Sequence, residues 1–263
     1  MAEPLFRTLE AVIPRLVRAN GPHLTIEGLE HIPERGGAVL TLNHTGYLDW
    51  YPASIAALQR RRRLRFMIKA EMTQVPVIGY VIRHIKLIPV DRSAGAGAYD
   101  VAVRKLADGE LVGLHPEATI SRSFELREFK TGAVRMAHAA GVPIIPVIVW
   151  GMHRVWTKDH PKKLWRNNIP VLTRIGPPIT TSDDIEATTA RLHDTMAAML
   201  EQAQLEYPHP AGAYWVPRRL GGGAPSMAEA LALREAELAE RDRKRLERAG
   251  RGRLRRALTL GRR

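Results

Sequence analysis

His44 and Asp49 are the residues of this chain whose types and spacing best fit chemistry. They follow an apolar run, Ala38–Leu42, which predicts a short buried strand, and the residues between them mark a turn or a helix start. A carboxylate one turn into that helix can hold one imidazole nitrogen and leave the other to accept a proton. The pair therefore predicts a general base that activates a hydroxyl group, although a histidine near an aspartate is also a common surface hydrogen bond.

Alternating strands and helices must position this pair, and they predict an α/β fold with a sheet flanked by helices. The apolar runs predict strands at residues 24–27, 38–42, 64–69, 85–90, 110–115, 144–150 and 171–175. The helical patterns cover residues 4–19, 50–59, 76–83, 99–107, 131–140, 183–207 and 227–249. We expect an N-terminal amphipathic helix in 1–22, a single catalytic domain in 23–226, and a charged helix with a partly disordered basic tail in 227–263.

Composition narrows the possible chemistry. The chain of 263 residues has no cysteine, which excludes a thiolate nucleophile and a cysteine-ligated zinc site. The ten histidines show no metal-ligand spacing, so we expect no metal. The net charge is +13, and residues 241–263 carry eleven arginines and lysines against two acidic residues. This tail suits anionic lipid head groups and nucleic acid equally well, and it also fits a solubilising disordered end.

Four sequence blocks appear in order along the chain, and together they resemble a known family. They are Asn-His followed by Asp within residues 43–49, an apolar strand that ends in Asp-Arg at 85–92, a His-Pro-Glu segment at 115–123, and Val-Pro-Ile-Ile-Pro-Val at 142–147. From about residue 25 to 180 the chain is similar to the glycerolipid acyltransferases, typified by 1-acyl-glycerol-3-phosphate O-acyltransferase. The resemblance implies a glycerol-3-phosphate acyltransferase-like αβα sandwich with a mixed sheet.

The same resemblance implies an activity. We expect a membrane-surface O-acyltransferase of phospholipid biosynthesis, which moves a fatty acyl group from an acyl thioester to a hydroxyl of a lysophosphatidate-type acceptor. His44 would be the general base and Asp49 would orient it. No resident cofactor is expected, because acyl-CoA or acyl-acyl carrier protein serves as co-substrate. The protein would be cytoplasmic and peripheral on the inner face of the cell membrane, where it would meet an anionic surface.

A phosphate-bearing acceptor requires fixed cations, and the blocks offer several. Arg92 follows a predicted strand, where a guanidinium can bind phosphate through two parallel hydrogen bonds. Lys69 and Lys130 stand at comparable positions in the sequence. Glu117 belongs to the third block, and we assign it to the acceptor site in either a binding or a scaffolding role.

The third block departs from the family pattern of Glu-Gly-Thr-Arg. Ala118 replaces the glycine, Ile120 replaces the arginine, and His115 stands where an apolar residue is usual. We expect Arg122 to supply the lost charge. The acceptor is therefore open among lysophosphatidate, glycerol 3-phosphate and another lysophospholipid.

Two functions of other classes remain as alternatives. The basic tail fits a polyanion-binding or nucleic-acid-binding protein, although no specific nucleic acid is expected. A hydrolase would use His44 and Asp49 to activate water instead of an alcohol.

Overall fold

A computed structural model of the chain describes Val12, Arg15 and residues 21–74, 79, 80, 84–90, 96–165 and 167–260. The predicted amphipathic helix at 4–19 falls outside the described residues except for Val12 and Arg15. Most of the predicted helix at 76–83 also lies outside them.

The described residues form a seven-stranded sheet with the order β1-β7-β6-β2-β5-β3-β4. All neighbouring strands are parallel except β6 and β7, which are antiparallel. The predicted mixed α/β sheet is therefore confirmed. The strands are β1 (His23–Glu27), β2 (Ala38–Leu42), β3 (Leu64–Lys69), β4 (Ile88–Val90), β5 (Leu111–Leu114), β6 (Ile144–Trp150) and β7 (Pro170–Ile175).

The helices connect and flank these strands. They are α1 (Trp50–Gln59), α2 (Ala96–Ala107), α3 (Gly132–Ala140), α4 (Ile185–Glu206) and α5 (Met227–Leu260). Helix α3 ends at Gly141, which adopts the left-handed conformation that a helix terminus favours (φ 63°). Helix α5 is longer than predicted and continues beyond residue 249 to Leu260, because alanine, leucine and arginine dominate its last turns and favour helix. The partial disorder expected within 227–263 stays a prediction.

Strands β2 and β6 form the centre of the core. Every residue of both strands is buried, which explains why they read as continuous apolar runs instead of alternating ones. Helix α1 contributes Ala53, Ala56 and Ala57 to the same core. Since these small side chains allow close approach to the sheet, the start of α1 is held firmly beside the end of β2.

The arginine cluster between α1 and β3 lies at the opposite edge of the sheet from the carboxyl end of β2. The Arg62 guanidinium donates hydrogen bonds to the carbonyl oxygens of Pro33, Gly36 and Gly109, over 2.6–2.7 Å. These three carbonyls belong to loops that precede β2 and β5. Arg62 therefore stabilises the loops that precede β2 and β5.

The chain divides into two compact units. The first comprises the described residues up to Ser121 together with Glu125–His209, and the second comprises Arg122–Phe124 and the described residues from Pro210 onward. In this division the Pro/Gly-rich segment after residue 209 belongs with α5, whereas the sequence predicted one domain over 23–226, and that prediction stays untested. Trp215 in that segment is buried, as its large apolar ring favours.

Candidate active site

Several polar side chains lie at one edge of the sheet. Strands β2, β5, β3 and β6 run parallel, so their carboxyl ends share this edge. His44 follows β2, His115 and Glu117 follow β5, Lys69 ends β3, and His153 follows β6. Open α/β sheets place their ligands at the carboxyl ends of their strands. This edge is therefore the candidate site.

The structure brings His44 and Asp49 together. The His44 Nδ1 atom lies 3.5 Å from Asp49 Oδ2, which is a close contact but longer than a usual hydrogen bond. The His44 side chain is 20% exposed, whereas the Asp49 side chain is 0% exposed. Since the Nδ1 atom itself is buried, the nitrogen that remains for a substrate is Nε2.

The backbone that precedes α1 holds the Asp49 carboxylate. Its Oδ2 accepts hydrogen bonds from the N–H groups of Thr45 (2.8 Å) and Gly46 (2.7 Å). Among the described residues, Oδ1 has no hydrogen-bond partner. Burial raises the pKa of Asp49 from 3.8 to about 7, against the opposing effects of His115 and of the Gly46 and Thr45 N–H groups. The carboxylate is therefore rigid but costly to ionise.

Gly46 is closely packed in this turn. A Cβ atom at this position would lie 3.0 Å from the carbonyl oxygen of Trp156 and 3.1 Å from Asp49 Oδ1. The neighbouring Thr45 is also fixed, because its carbonyl accepts a 2.6 Å hydrogen bond from the Thr157 hydroxyl. The loop after β6 thus supports the turn that carries the His-Asp pair.

Asn43 fixes the point at which the chain leaves β2. Its side-chain oxygen accepts a 2.7 Å hydrogen bond from the Val149 N–H, and its side-chain nitrogen donates a 3.0 Å bond to the Val149 carbonyl. The buried amide therefore extends the β2–β6 pairing beyond Leu42. Sequence reasoning gave Asn43 no role, although a polar amide directly after a fully apolar strand was the available signal.

The ring of His115 stacks on the ring of His44. The centroids are 3.8 Å apart and the planes differ by 8°. The His115 Nδ1 atom lies 2.9 Å from the Asn43 carbonyl oxygen and 3.2 Å from that of Leu42, so Nδ1 carries the proton and donates. Burial, with a further contribution from His44, lowers the pKa of His115 to about 3, and the ring is neutral.

Glu117 occupies a scaffolding position next to His44. One carboxylate oxygen accepts a hydrogen bond from the His44 N–H (2.7 Å), and the other accepts one from the Arg127 N–H (3.1 Å). The His44 carbonyl in turn accepts a 2.7 Å bond from the Ser121 N–H. Burial raises the pKa of Glu117 to about 8, opposed by these two N–H donors. Of the two roles considered for Glu117, these contacts correspond to scaffolding, and contact with an acceptor stays a prediction.

The substituted positions of the third block have distinct environments. Ala118 adopts a left-handed backbone (φ 59°), which glycine tolerates better than alanine does. Ile120 is only 5% exposed, so its apolar side chain is buried. Arg122 belongs to the second unit, where it lies 3.0 Å from Glu237 of α5. Its predicted role as the replacement charge stays a prediction.

Two of the other predicted phosphate ligands lie at the same edge. Lys69 is exposed at the end of β3, two strands from β2, which corresponds to about 10 Å across the sheet. Lys130 is exposed just before α3, and its N–H donates a 3.0 Å bond to the carbonyl of Pro116 in the third block. Arg92 lies outside the described residues.

The described residues offer a proton acceptor and cations at one edge of the sheet. Within them, no cluster of three or more histidines and acidic residues is placed to hold a metal ion. In the same part of the chain, no helix combines the length and apolarity needed to span a bilayer. A neutral imidazole aligned by a buried carboxylate, with lysines nearby, can deprotonate an alcohol that carries a negatively charged group.

Comparison with known proteins points to one family. A family model described as Acyltransferase matches residues 23–150. The chain is 28% identical over 153 residues to a chloroplast 1-acyl-sn-glycerol-3-phosphate acyltransferase of Arabidopsis thaliana. The match covers 57% of this chain and 42% of the relative. It is 30% identical over 123 residues to the protein of that name from Bacillus subtilis, covering 46% and 60%. The matches thus span less than two thirds of the length of these relatives.

A solved structure shares the fold. The crystal structure of the 1-acyl-sn-glycerophosphate (LPA) acyltransferase PlsC from Thermotoga maritima has a TM-score of 0.61 to this chain. The match covers 80% of this chain and 86% of the other, with 18% sequence identity. The likeness supports the predicted acyltransferase-like sandwich at the level of the fold.

Proposed function

We propose that this chain, whose residues 23–150 belong to the acyltransferase family, is an O-acyltransferase that esterifies a lysophosphatidate-type acceptor with a fatty acyl group from an acyl thioester. The family resemblance carried by the four sequence blocks is confirmed. The observation that carries the proposed mechanism is the contact between His44 Nδ1 and Asp49 Oδ2 at the carboxyl edge of the sheet.

The proposed reaction is direct transfer. His44 Nε2 takes the proton from the acceptor hydroxyl while the hydroxyl oxygen attacks the thioester carbonyl. The tetrahedral intermediate then collapses, the carbon–sulfur bond breaks, and the thiolate takes the proton back from the imidazolium. Asp49 aligns the ring and stabilises the imidazolium that forms transiently. General-base assistance of this kind contributes on the order of 10²- to 10⁴-fold to a rate.

The acceptor phosphate is assigned to the cations at the sheet edge. Lys69 and Lys130 are exposed there, and Arg92 is the arginine of the Asp-Arg pair that ends the second block. We assign the donor to acyl-CoA or acyl-acyl carrier protein. We place the reaction at an anionic membrane surface on the cytoplasmic face, because both the acyl product and a lysophospholipid acceptor partition into lipid.

An acceptor screen tests this function. Purified full-length protein is given one long-chain acyl-CoA with lysophosphatidate, glycerol 3-phosphate, lysophosphatidylcholine or no acceptor, and both new ester and free fatty acid are measured. We expect ester formation to be fastest with lysophosphatidate. A preference for glycerol 3-phosphate or another lysolipid would move the assignment to that acceptor, and fatty acid release without any acceptor would identify a hydrolase.

The basic end of the chain supports the polyanion alternative only weakly. Several cations of α5 pair with acidic residues of the same helix, as in Arg241 with Glu237 and Lys244 with Glu240. Such pairs neutralise part of the charge that would attract nucleic acid. Loss of binding to duplex DNA on removal of residues 241–263, with no acyl transfer by the full chain, would favour that alternative.

A further inference from the structure

The loop at residues 161–165 exposes two large apolar side chains to water. Trp165 is 71% exposed and Leu164 is 48% exposed, and every residue of the loop is exposed. A tryptophan side chain gains much free energy from burial, so a Leu-Trp pair at the tip of a loop favours contact with another apolar phase. Hereafter we call residues 161–165 the Leu-Trp loop.

Hydrogen bonds tie the Leu-Trp loop to the segment that carries the His-Asp pair. The Lys163 N–H donates a 2.8 Å bond to the carbonyl of Val155, and the Tyr47 N–H donates a 3.0 Å bond to the carbonyl of Trp156. The rings of Tyr47 and Trp156 also contact, with centroids 4.7 Å apart. The Leu-Trp loop therefore begins directly beside the turn that follows His44.

An exposed aromatic side chain lies near the Leu-Trp loop, and two lysines lie within it. Tyr47 is 42% exposed and faces solvent, whereas Tyr51 is buried. Lys162 places its Nζ 4.1 Å above the Trp156 ring, and Lys163 is exposed next to Leu164. Lysines that flank exposed tryptophan and leucine match a bilayer interface, where phosphates lie just outside the acyl chains.

We propose that the Leu-Trp loop inserts Leu164 and Trp165 into the interface of an anionic bilayer, with Lys162 and Lys163 on the lipid phosphates, and so holds the mouth of the His44 site against the membrane. The choice of a lipid surface as the occupant rests on the proposed function. The placement of this loop in that surface is a separate claim, because it can be measured without any turnover.

Site-specific labelling tests the insertion directly. The chain has no cysteine, so Trp165→Cys in the full-length protein can be labelled at one position with a nitrobenzoxadiazole fluorophore, which is itself apolar and aromatic. The control is Asp183→Cys, whose side chain is fully exposed just before α4, at the opposite edge of the sheet. Vesicles of phosphatidylglycerol and phosphatidylcholine in a 1:3 ratio should blue-shift and brighten the label at position 165 and leave the label at 183 unchanged. Equal responses at both positions, or none at 165, would overturn the proposal.

A turnover experiment separates this proposal from the proposed function. In Leu164→Ser/Trp165→Ser, transfer from a long-chain thioester to lysophosphatidate embedded in vesicles should fall at least 10-fold. Transfer between a short-chain thioester and a short-chain lysophosphatidate, both monomeric in water, should stay within 2-fold of the parent protein. Full vesicle activity in the double variant contradicts the role of the loop. Absence of transfer by the parent protein on both substrate pairs contradicts the proposed function, and the response of the label at position 165 still decides the insertion.

Discussion

The imidazole rings of His44 and His115 stack face to face, with their centroids 3.8 Å apart. His115 is held by the carbonyl oxygens of Leu42 and Asn43, the two residues that lead into His44. One face of the proposed base therefore rests on a neutral, buried ring that is itself fixed to the end of β2. This packing restricts the rotation of His44 and complements the contact between its Nδ1 atom and Asp49.

Substitution of His115 tests whether this stacking positions the base. His115→Phe keeps a flat ring under His44 and should retain the rate of transfer within about 5-fold. His115→Ala removes the ring, and the freedom gained by His44 should lower kcat by about 10- to 100-fold with little change in KM. The two variants are compared by steady-state kinetics, with circular dichroism as the check on folding. Equal kcat values for both variants would show that the ring has no positioning role.

The pH dependence of the rate should follow Asp49. Because its pKa is raised to about 7, the carboxyl becomes protonated as the pH falls through 7, and the negative charge beside the forming imidazolium is lost. We expect kcat to fall on the acid side of about pH 7. Asp49→Asn lacks that charge at every pH, so its kcat should be at least about 100-fold lower above pH 8, where the carboxylate of the parent protein is fully ionised. A rate for Asp49→Asn close to that of the parent protein would exclude the assigned role.

Glu117→Gln should change both stability and its dependence on pH. Burial raises the pKa of Glu117 from 4.5 to about 8, so the folded state holds the proton more tightly than the unfolded state does. The free energy of unfolding that this tighter proton binding contributes is fully present below about pH 4.5 and is lost as the pH rises through 8. Glutamine removes this titration, so the free energy of unfolding should decline less steeply between pH 6 and 9. At pH 6 the variant should be about 1–3 kcal/mol less stable. The side-chain NH2 group of glutamine cannot accept a hydrogen bond, so one of the two N–H donors would lose its acceptor.

Denaturant titrations at several pH values measure both effects of Glu117→Gln. Lys130→Gln provides a comparison nearby, because Lys130 is exposed and its backbone N–H, which the substitution keeps, donates the bond to Pro116. An unchanged slope with pH in Glu117→Gln would contradict the assignment of this titration to Glu117.

The sequence predicted those features that depend on neighbours along the chain. The run Ala38–Leu42 predicted a buried strand, and the spacing of His44 and Asp49 predicted that their side chains meet, because one turn of backbone decides both. The mixed sheet was also predicted, through the family resemblance.

Contacts between distant segments could not be predicted in the same way. The stack of His115 on His44 depends on β2 and β5 being adjacent, and the Asn43 amide reaches Val149 because β6 flanks β2 on its other side. The strand order results from packing of the whole domain, which no local pattern specifies. The partners of Arg62 are likewise carbonyls of loops that are distant in sequence.

Ala118→Gly should stabilise the protein. Ala118 has φ 59°, and a left-handed backbone costs an L-residue roughly 1–2 kcal/mol in the folded state. Glycine removes this cost, but its greater freedom in the unfolded chain offsets part of the gain. The net gain in the free energy of unfolding should be about 0.5–1 kcal/mol, measured by urea denaturation. In Ala139→Gly, an exposed position of helix α3, the same exchange should instead cost about 1 kcal/mol. A loss of stability in both variants would mean that the strain at residue 118 is not relieved by glycine.

The role of His44 is tested most sharply by the release of free thiol from a long-chain acyl-CoA, followed with and without lysophosphatidate in the parent protein and in His44→Ala. For direct transfer with His44 as the base, we expect thiol release only when the acceptor is present, one new ester for each thiol, and a loss of about 10²- to 10⁴-fold in His44→Ala. Thiol release without acceptor, or a His44→Ala variant that transfers the acyl group at the rate of the parent protein, would contradict it.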